Sequence, residues 1–245
     1  MVYVGTIGAL PPSTEHYPQT HLKNQKAGDY IVVAGGRVGS DGIHGATFSS
    51  LALDENAPAT AVQIGDPFTQ KKLSDFLLEA RNQGLYSSLT DNGAGGISSS
   101  VGEMAELTGG ARIQLEKVPL KYAGLASFEI MISESQERMS FSVAPQKLES
   151  FLELAKNFEV EAFEIGNFTD TGFLEVSHDG ECLAYLDLKF MHKGLPKKNL
   201  KATFSVKENP FKAWHGKDFR KKLPKNTKDL FMEVLSLPNL SLIHI

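Results

Sequence analysis

One hexapeptide constrains this chain more than any other feature: Asp91-Asn92-Gly93-Ala94-Gly95-Gly96, an aspartate followed by three glycines within five residues. A β-rich run, Ser88-Leu89-Thr90, leads into it. Beyond it, Ser100-Val101-Gly102-Glu103 has the spacing of a capping box, which predicts a helix starting immediately beyond the loop. A strand, a glycine loop and a helix in succession suit anion binding. Glycine lets the backbone approach an anion closely, and the helix start offers unpaired N–H groups with a favourable dipole. A carboxylate such as Asp91 beside that loop suits a Mg²⁺ ion shared with phosphate oxygens, because Mg²⁺ takes few protein ligands. A turn or cap aspartate is the competing reading.

A second glycine-rich segment, residues 35–45, follows the β-rich run Tyr30-Ile31-Val32-Val33-Ala34. Strand followed by glycine loop is again the layout of many phosphate sites. Its spacing fits neither the dinucleotide fingerprint nor the P-loop. Asp66-Pro67 is a helix start, a cap acceptor ahead of a proline, and Leu73, Phe76, Leu77 and Ala80 form an apolar stripe ending at Gly84. Strands are predicted near 112–118 and over the β-rich runs 128–133 and 139–143. A helix follows with Leu148, Phe151, Leu152 and Ala155 on one face. A strand near 161–165 then precedes a hairpin turning at Asp179-Gly180 between 173–176 and 182–188. This alternation predicts an α+β or α/β sandwich, a mixed sheet with helices against it.

Composition excludes several classes. The chain has 245 residues, 41% hydrophobic and 22% charged, values of a globular protein with one sizeable core. The single cysteine, Cys182, rules out an internal disulfide framework and reads as a small buried hydrophobe in an alternating apolar run. There is no apolar run of membrane-spanning length and no basic signal-peptide region at the start, so the expectation is a cytoplasmic protein with no membrane partner. Residues 191–233 hold 12 Lys and Arg against 4 Asp and Glu, whereas the first 190 hold 13 against 25. The basic stretch lacks a regular aromatic interleave or a nucleic-acid motif, and reads as a linker or docking surface rather than a nucleic-acid arm.

Three further places carry chemistry. Glu134-Ser135-Gln136-Glu137-Arg138 lies between two β-rich runs. By composition it is a solvated turn, yet a carboxylate, a hydroxyl and an amide in succession could hydrogen-bond a polar ligand such as a ribose. Gln63, in Ala61-Val62-Gln63-Ile64-Gly65, is a polar residue in a short apolar strand. His44, in Asp41-Gly42-Ile43-His44-Gly45, reads as packing its loop. The remaining histidines lack metal-ligand spacing, and there is no nucleophile elbow.

Four strings in order carry a family resemblance: residues 35–50, 62–68, 91–96 and 129–139. Across residues 28–190 the chain resembles phosphoribosylformylglycinamidine synthase (FGAM synthase). More distant relatives of the fold, such as aminoimidazole ribonucleotide synthetase, lack the Glu-Ser-Gln-Glu-Arg-Met string. The resemblance implies an ATP-dependent carbon–nitrogen ligase of purine biosynthesis. It joins formylglycinamide ribonucleotide and glutamine-derived ammonia, with Mg²⁺ and ATP as cofactors. It also implies that Gln63, Glu134, Ser135 and Gln136 contact substrate and that Asp91 binds Mg²⁺. No catalytic residue is carried over, because the family's histidine-bearing Ser-His-Asn-His-like motif, which supplies the general base, is absent.

The resemblance implies an organisation too. Residues 1–27 are expected to be the tail of a preceding synthetase domain. Residues 28–190 are expected to be a domain like the C-terminal one of aminoimidazole ribonucleotide synthetase, belonging to the first half of the enzyme. Residues 191–239 would be a basic linker toward the second half. Residues 240–245 resemble translation of a sequencing adapter. The expected partners are the remaining synthetase domains and a glutaminase domain or subunit, and the fragment alone is expected to be inactive, with exposed apolar surface where its partners dock. The competing expectation is a standalone, non-catalytic nucleotide-binding or scaffold module of the same fold.

Overall fold

Tyr30–Gly35 (β1) has buried side chains on both faces, and this places it in the middle of the sheet. In the computed structural model, which describes residues 22–43, 65–196, 198–201, 226, 228, 229 and 232, β1 pairs antiparallel with two strands. These are β4 (Arg138–Val143) and β5 (Ala162–Phe168). Adding β2 (Ser88–Asp91), β3 (Ala111–Gln114), β6 (Phe173–His178) and β7 (Glu181–Asp187) gives a seven-stranded sheet of order β2-β4-β1-β5-β3-β6-β7. Among the described strands, only the β3–β6 pair runs parallel. The chain divides into two units, Leu10–Pro196 and a second formed by Met1–Ala9 with Lys197–Ile245. The sheet belongs to the first. In the second, Asn226 Oδ1 accepts the Asp229 N–H at 2.9 Å, a cap for the helical residues Lys228 and Asp229.

Helices cover both faces. Alternate residues of β1 divide between two cores: Ile31 and Val33 lie with Ile97, Val101, Met104 and Phe168, while Val32 and Ala34 lie with Phe76, Phe141 and Phe151. The first core is closed by α2 (Gly96–Thr108), α3 (Ser127–Ile132) and α5 (Leu188–Lys193). The second is closed by α1 (Pro67–Asn82) and α4 (Leu148–Asn157). Helix α1 starts where the sequence indicates, with Asp66 accepting the Phe68 N–H at 3.0 Å. The hairpin turns at Asp179 (φ 51°) and Gly180 (φ 82°), the paired positive dihedrals of a type I′ turn.

Four expectations change. Residues 127–132 are a short helix rather than a strand: β4 already has neighbours on both edges, Ile130 is buried in the core, and Glu129 Oε2 accepts the Ala126 N–H at 2.7 Å. The strand near 112–118 stops at Gln114 and tightens into a 3₁₀ turn over Leu115–Lys117. Helix α2 begins at the end of the glycine loop, at Gly96, as expected, but Ser100 does not cap it and is a buried residue inside it. Cys182 is exposed, on edge strand β7, where among the described residues one side of the strand has no partner strand to cover it. Phe128, Leu183, Tyr185 and Leu186 are exposed apolar residues, as expected of a domain with uncovered faces. No helix among the described residues is long and apolar enough to cross a membrane.

The second core turns on Phe76, fully buried and edge-on to Phe151 at 5.1 Å, Phe141 at 6.1 Å and Phe158 at 6.4 Å. Phe76→Ala is expected to lower unfolding free energy by about 3–5 kcal/mol in urea titration, from lost burial plus the cavity left behind.

Candidate functional site

Topology gathers the conspicuous loops. Strand β4 runs antiparallel to both β1 and β2, so its start lies beside their ends: Gly35 faces Arg138, and Asp91 faces Met139. The loop after β1, the loop after β2 and residues 133–137 before β4 therefore emerge together. Two glycines are required by this convergence. A Cβ on Gly35 (φ +112°) would lie 2.0 Å from the Glu137 carbonyl oxygen, and one on Gly96 (φ +54°) would lie 2.2 Å from that of Ser133. Both glycine loops thus press on residues 133–137.

That segment is not a solvated turn. Ser133 and Ser135 are fully buried and Arg138 is 3% exposed. The Arg138 Nε donates to the Ser135 carbonyl at 2.7 Å and its Nη2 to the Ser133 carbonyl at 2.5 Å, holding the segment from inside. Burial pulls the Arg138 pKa down to about 10, against the opposing charge of Asp41, so the guanidinium remains protonated at neutral pH. Glu134 is half-buried, and its Oε1 accepts the Gly95 N–H at 3.3 Å at the start of α2. Gln136 is exposed.

Asp41 joins the first glycine loop to the segment. Its carboxylate accepts the Ser135 hydroxyl and, at 2.7 Å, the Lys121 ammonium; its carbonyl accepts the Glu134 N–H at 2.8 Å. Ser135 Oγ in turn accepts the Gly39 N–H at 2.9 Å, and Tyr122 Oη accepts the Ser40 N–H at 3.0 Å. Burial raises the Asp41 pKa, but the bonds from Lys121 and Ser135 and the charges of Lys121 and Arg138 outweigh it and hold the carboxyl below its usual range.

Asp91 is exposed at the end of β2. Among the described residues its hydrogen-bond partner is the Gly93 N–H, 3.1 Å from Oδ2. Its neighbour Asn92 is buried, with Oδ1 accepting the Ser100 hydroxyl at 2.6 Å and the Ser140 hydroxyl at 3.0 Å. Asp91, Asn92, Gly93 and Gln136 line a hollow of about 290 Å³ together with Gln70 and Ser74 of α1. A second hollow of about 460 Å³ is bordered by Gly35, Gly36, Arg37, Lys72, Lys121, Gln136 and Glu137. No group of three or more His, Cys, Asp or Glu able to hold a metal occurs among the described residues. Asp91 and Glu137 are the carboxylates that line the first hollow, and a donor set this small is compatible with Mg²⁺, which takes few protein ligands.

The structure brings together four of the residues singled out by sequence, Asp91, Glu134, Ser135 and Gln136. Gln63 and His44 lie outside the described residues. Sequence reasoning missed Asp41, Asn92, Lys121 and Tyr122. Asp41 and Asn92 stand inside the very motifs that drew attention, so position in the motif was the available signal. Lys121 and Tyr122 carried none.

Residues 26–179 match the family described as AIR synthase related protein, C-terminal domain. The chain belongs to this family. It is 41% identical over 170 residues to phosphoribosylformylglycinamidine synthase subunit PurL of Methanothermobacter thermautotrophicus, covering 68% of this chain and 24% of that protein. It is similar in structure to Thermotoga maritima PurL complexed with FGAR, with a TM-score of 0.68 and 32% identity over 76% of this chain and 31% of the other. Against the same protein complexed with ATP the TM-score is 0.64, at 28% identity, covering 76% and 29%. The chain spans about a quarter to a third of the length of these relatives.

A carboxylate held below its usual pKa stabilises the fold above its unfolded pKa, and that stability is lost as pH falls through the lower folded value. Asp41→Asn is therefore expected to be less stable than the wild type at neutral pH. It should also lose less stability as pH drops below about 4, the ordinary aspartate range. Urea unfolding from pH 3 to 7 checks both.

Proposed function

We propose that this chain is the C-terminal domain of the first half of an FGAM synthase, a cytoplasmic ATP-dependent ligase. The full enzyme would convert formylglycinamide ribonucleotide and glutamine-derived ammonia to the amidine. The supporting observation is convergence: the loop 36–43, the loop 91–96 and the segment 133–138, distant in sequence, meet at one end of the sheet around an exposed carboxylate. On this reading residues 28–190 are the domain, 1–27 the tail of the preceding domain and 191–239 a connector. Residues 240–245 are adapter-derived. Residues 1–21, most of the connector and the last six residues lie outside the described residues.

The chemistry asks little covalent work of this domain. Phosphorylation of the substrate amide oxygen gives an iminophosphate, and ammonia then displaces phosphate. Such phosphoryl transfer depends on positioning and charge neutralisation. Gln63, Glu134, Ser135 and Gln136 form the substrate-binding set, with the exposed Gln136 lining both hollows and the half-buried Glu134 two residues before it. Asp91 would hold Mg²⁺, which supplies charge stabilisation to phosphate oxygens when bound. The general base, the nucleotide contacts and the ammonia source belong to the remaining domains and a glutaminase domain or subunit.

In the complete polypeptide carrying this chain, FGAM formation from formylglycinamide ribonucleotide, ATP and ammonia is expected. Asp91→Asn should lower kcat by about 100-fold or more, the scale of losing a key electrostatic group at a transferring phosphoryl. The isolated 245-residue chain should form no FGAM under the same assay. Turnover by the isolated chain, or an Asp91→Asn enzyme with wild-type kcat, would count against the assignment of roles.

A further inference from the structure

The Ser135 side chain has no hydrogen-bonding capacity left for a ligand. It is fully buried. Its N–H donates to Ser133 Oγ at 3.2 Å, and its carbonyl accepts from Arg138 Nε at 2.7 Å. Its hydroxyl proton goes to the Asp41 carboxylate, while its Oγ accepts the Gly39 N–H at 2.9 Å. Ser133 Oγ lies 3.1 Å away, and with the Ser135 proton committed to Asp41, the Ser133 hydroxyl is the donor of that pair. One proton and two lone pairs are thus all in use. A hydroxyl in that state does not bind substrate without first breaking a buried bond.

The same bonds close a ring between two loops. Gly39 donates to Ser135, Ser135 donates to Asp41, and the Asp41 carbonyl takes the N–H of Glu134 at 2.8 Å. Lys121, at 2.7 Å from Asp41, holds the ring from outside. The residues on either side of Ser135 are the ones left accessible: Glu134 is half-buried and Gln136 exposed, with Gln136 bordering both hollows.

We propose that Ser135 and Asp41 are a latch: positioning residues that lock the segment 134–137 onto the first glycine loop and so pre-organise Glu134 and Gln136 for substrate. The proposal rests on the substrate-binding reading of Glu134 and Gln136. It reassigns Ser135 from contact to support and adds Asp41, Gly39 and Lys121 to the machinery. Pre-organisation acts on affinity by removing the ordering cost of the loop at the moment of binding.

A double-mutant cycle decides between latch and contact. In the complete polypeptide, Ser135→Ala and Asp41→Asn are each expected to raise KM for formylglycinamide ribonucleotide by about tenfold, the scale of a buried charge-assisted hydrogen bond, with a smaller change in kcat. The double variant should be no worse than either single, because either change opens the same latch. If Ser135→Ala raises KM while Asp41→Asn leaves it unchanged, or if the two factors multiply, Ser135 acts directly and the latch is wrong. Should either variant fail to fold, Lys121→Gln tests the outer partner of Asp41. It is expected to raise KM about two- to threefold, and an unchanged KM overturns the proposal.

Hydrogen exchange on the 245-residue chain itself supplies a readout independent of substrate. Both latch variants should speed exchange in peptides covering 36–42 and 133–137 and leave those of α1 and α4 alone. Unchanged exchange in the two segments overturns the latch. If the complete wild-type polypeptide has no activity on formylglycinamide ribonucleotide, the functional assignment fails instead, and the exchange result alone decides whether the latch exists.

Discussion

The guanidinium of Arg138 is the interaction on which the rest of the site depends. It sits at the first position of β4, 3% exposed, and spends two of its donors on the carbonyls of Ser133 and Ser135. A cation buried this deeply costs several kcal/mol in desolvation unless hydrogen bonds and a nearby opposite charge offset it. The two carbonyls and the charge of Asp41 do so. In exchange, the five residues before β4 cannot relax into an ordinary solvated turn. Their backbone is drawn inward, and only Glu134, Gln136 and Glu137 are left with access to the outside. Among the described residues Nη1 of Arg138 and Nδ2 of Asn92 lack a hydrogen-bond partner. The end of the sheet therefore retains unspent donors.

Seen from that segment, the glycine-rich loops acquire a different physical reason from the one their composition suggests. Glycine after a strand reads naturally as a cradle for phosphate. At Gly35 and Gly96, however, the space a side chain would fill is taken by backbone carbonyls of Glu137 and Ser133. These glycines let three stretches of chain meet at backbone distance, and the antiparallel placement of β4 between β2 and β1 supplies the opportunity. Anion binding at the start of α2, where the Gly95 N–H already meets Glu134, is compatible with this packing but is not what demands the glycine.

How much of this was legible in the sequence depended on whether the signal was local. The start of α1 at Asp66-Pro67, its buried stripe and the Asp179-Gly180 hairpin rest on short-range rules and appear where those rules put them. Residues 127–132 failed for a tertiary reason. Their β-rich composition met a sheet in which β4 had no free edge, and Ile130 instead turned inward on a short helix. Cys182 failed similarly, because alternation of apolar residues does not say that a strand lies at the sheet's edge. The site was legible only as separate strings. That Asp41 and Ser135 share a hydrogen bond across 94 residues of sequence, and that Lys121 completes the pair, follows from topology, which no window of sequence contains.

The cations around the two hollows bear on what this domain can do alone. Arg37 is held bidentately by Glu161, Lys72 lies 3.6 Å from Glu159, and Lys121 is spent on Asp41. Arg138 faces inward onto carbonyls. Each positive group that borders the hollows therefore already has a protein partner, with the single Asp41 carboxylate shared between the Lys121 ion pair and the charge of Arg138. A triphosphate and a transferring phosphoryl carry several negative charges, and stabilising them requires positive charge aimed at the reacting oxygens. What this end of the sheet offers instead is a carboxylate, Asp91, with amide and carboxylate side chains on a rigid segment. Such a set suits a polar, hydroxyl-rich substrate and a metal ion. Among the described residues that line the hollows, no cation is without a protein partner to be aimed at a bare phosphate chain.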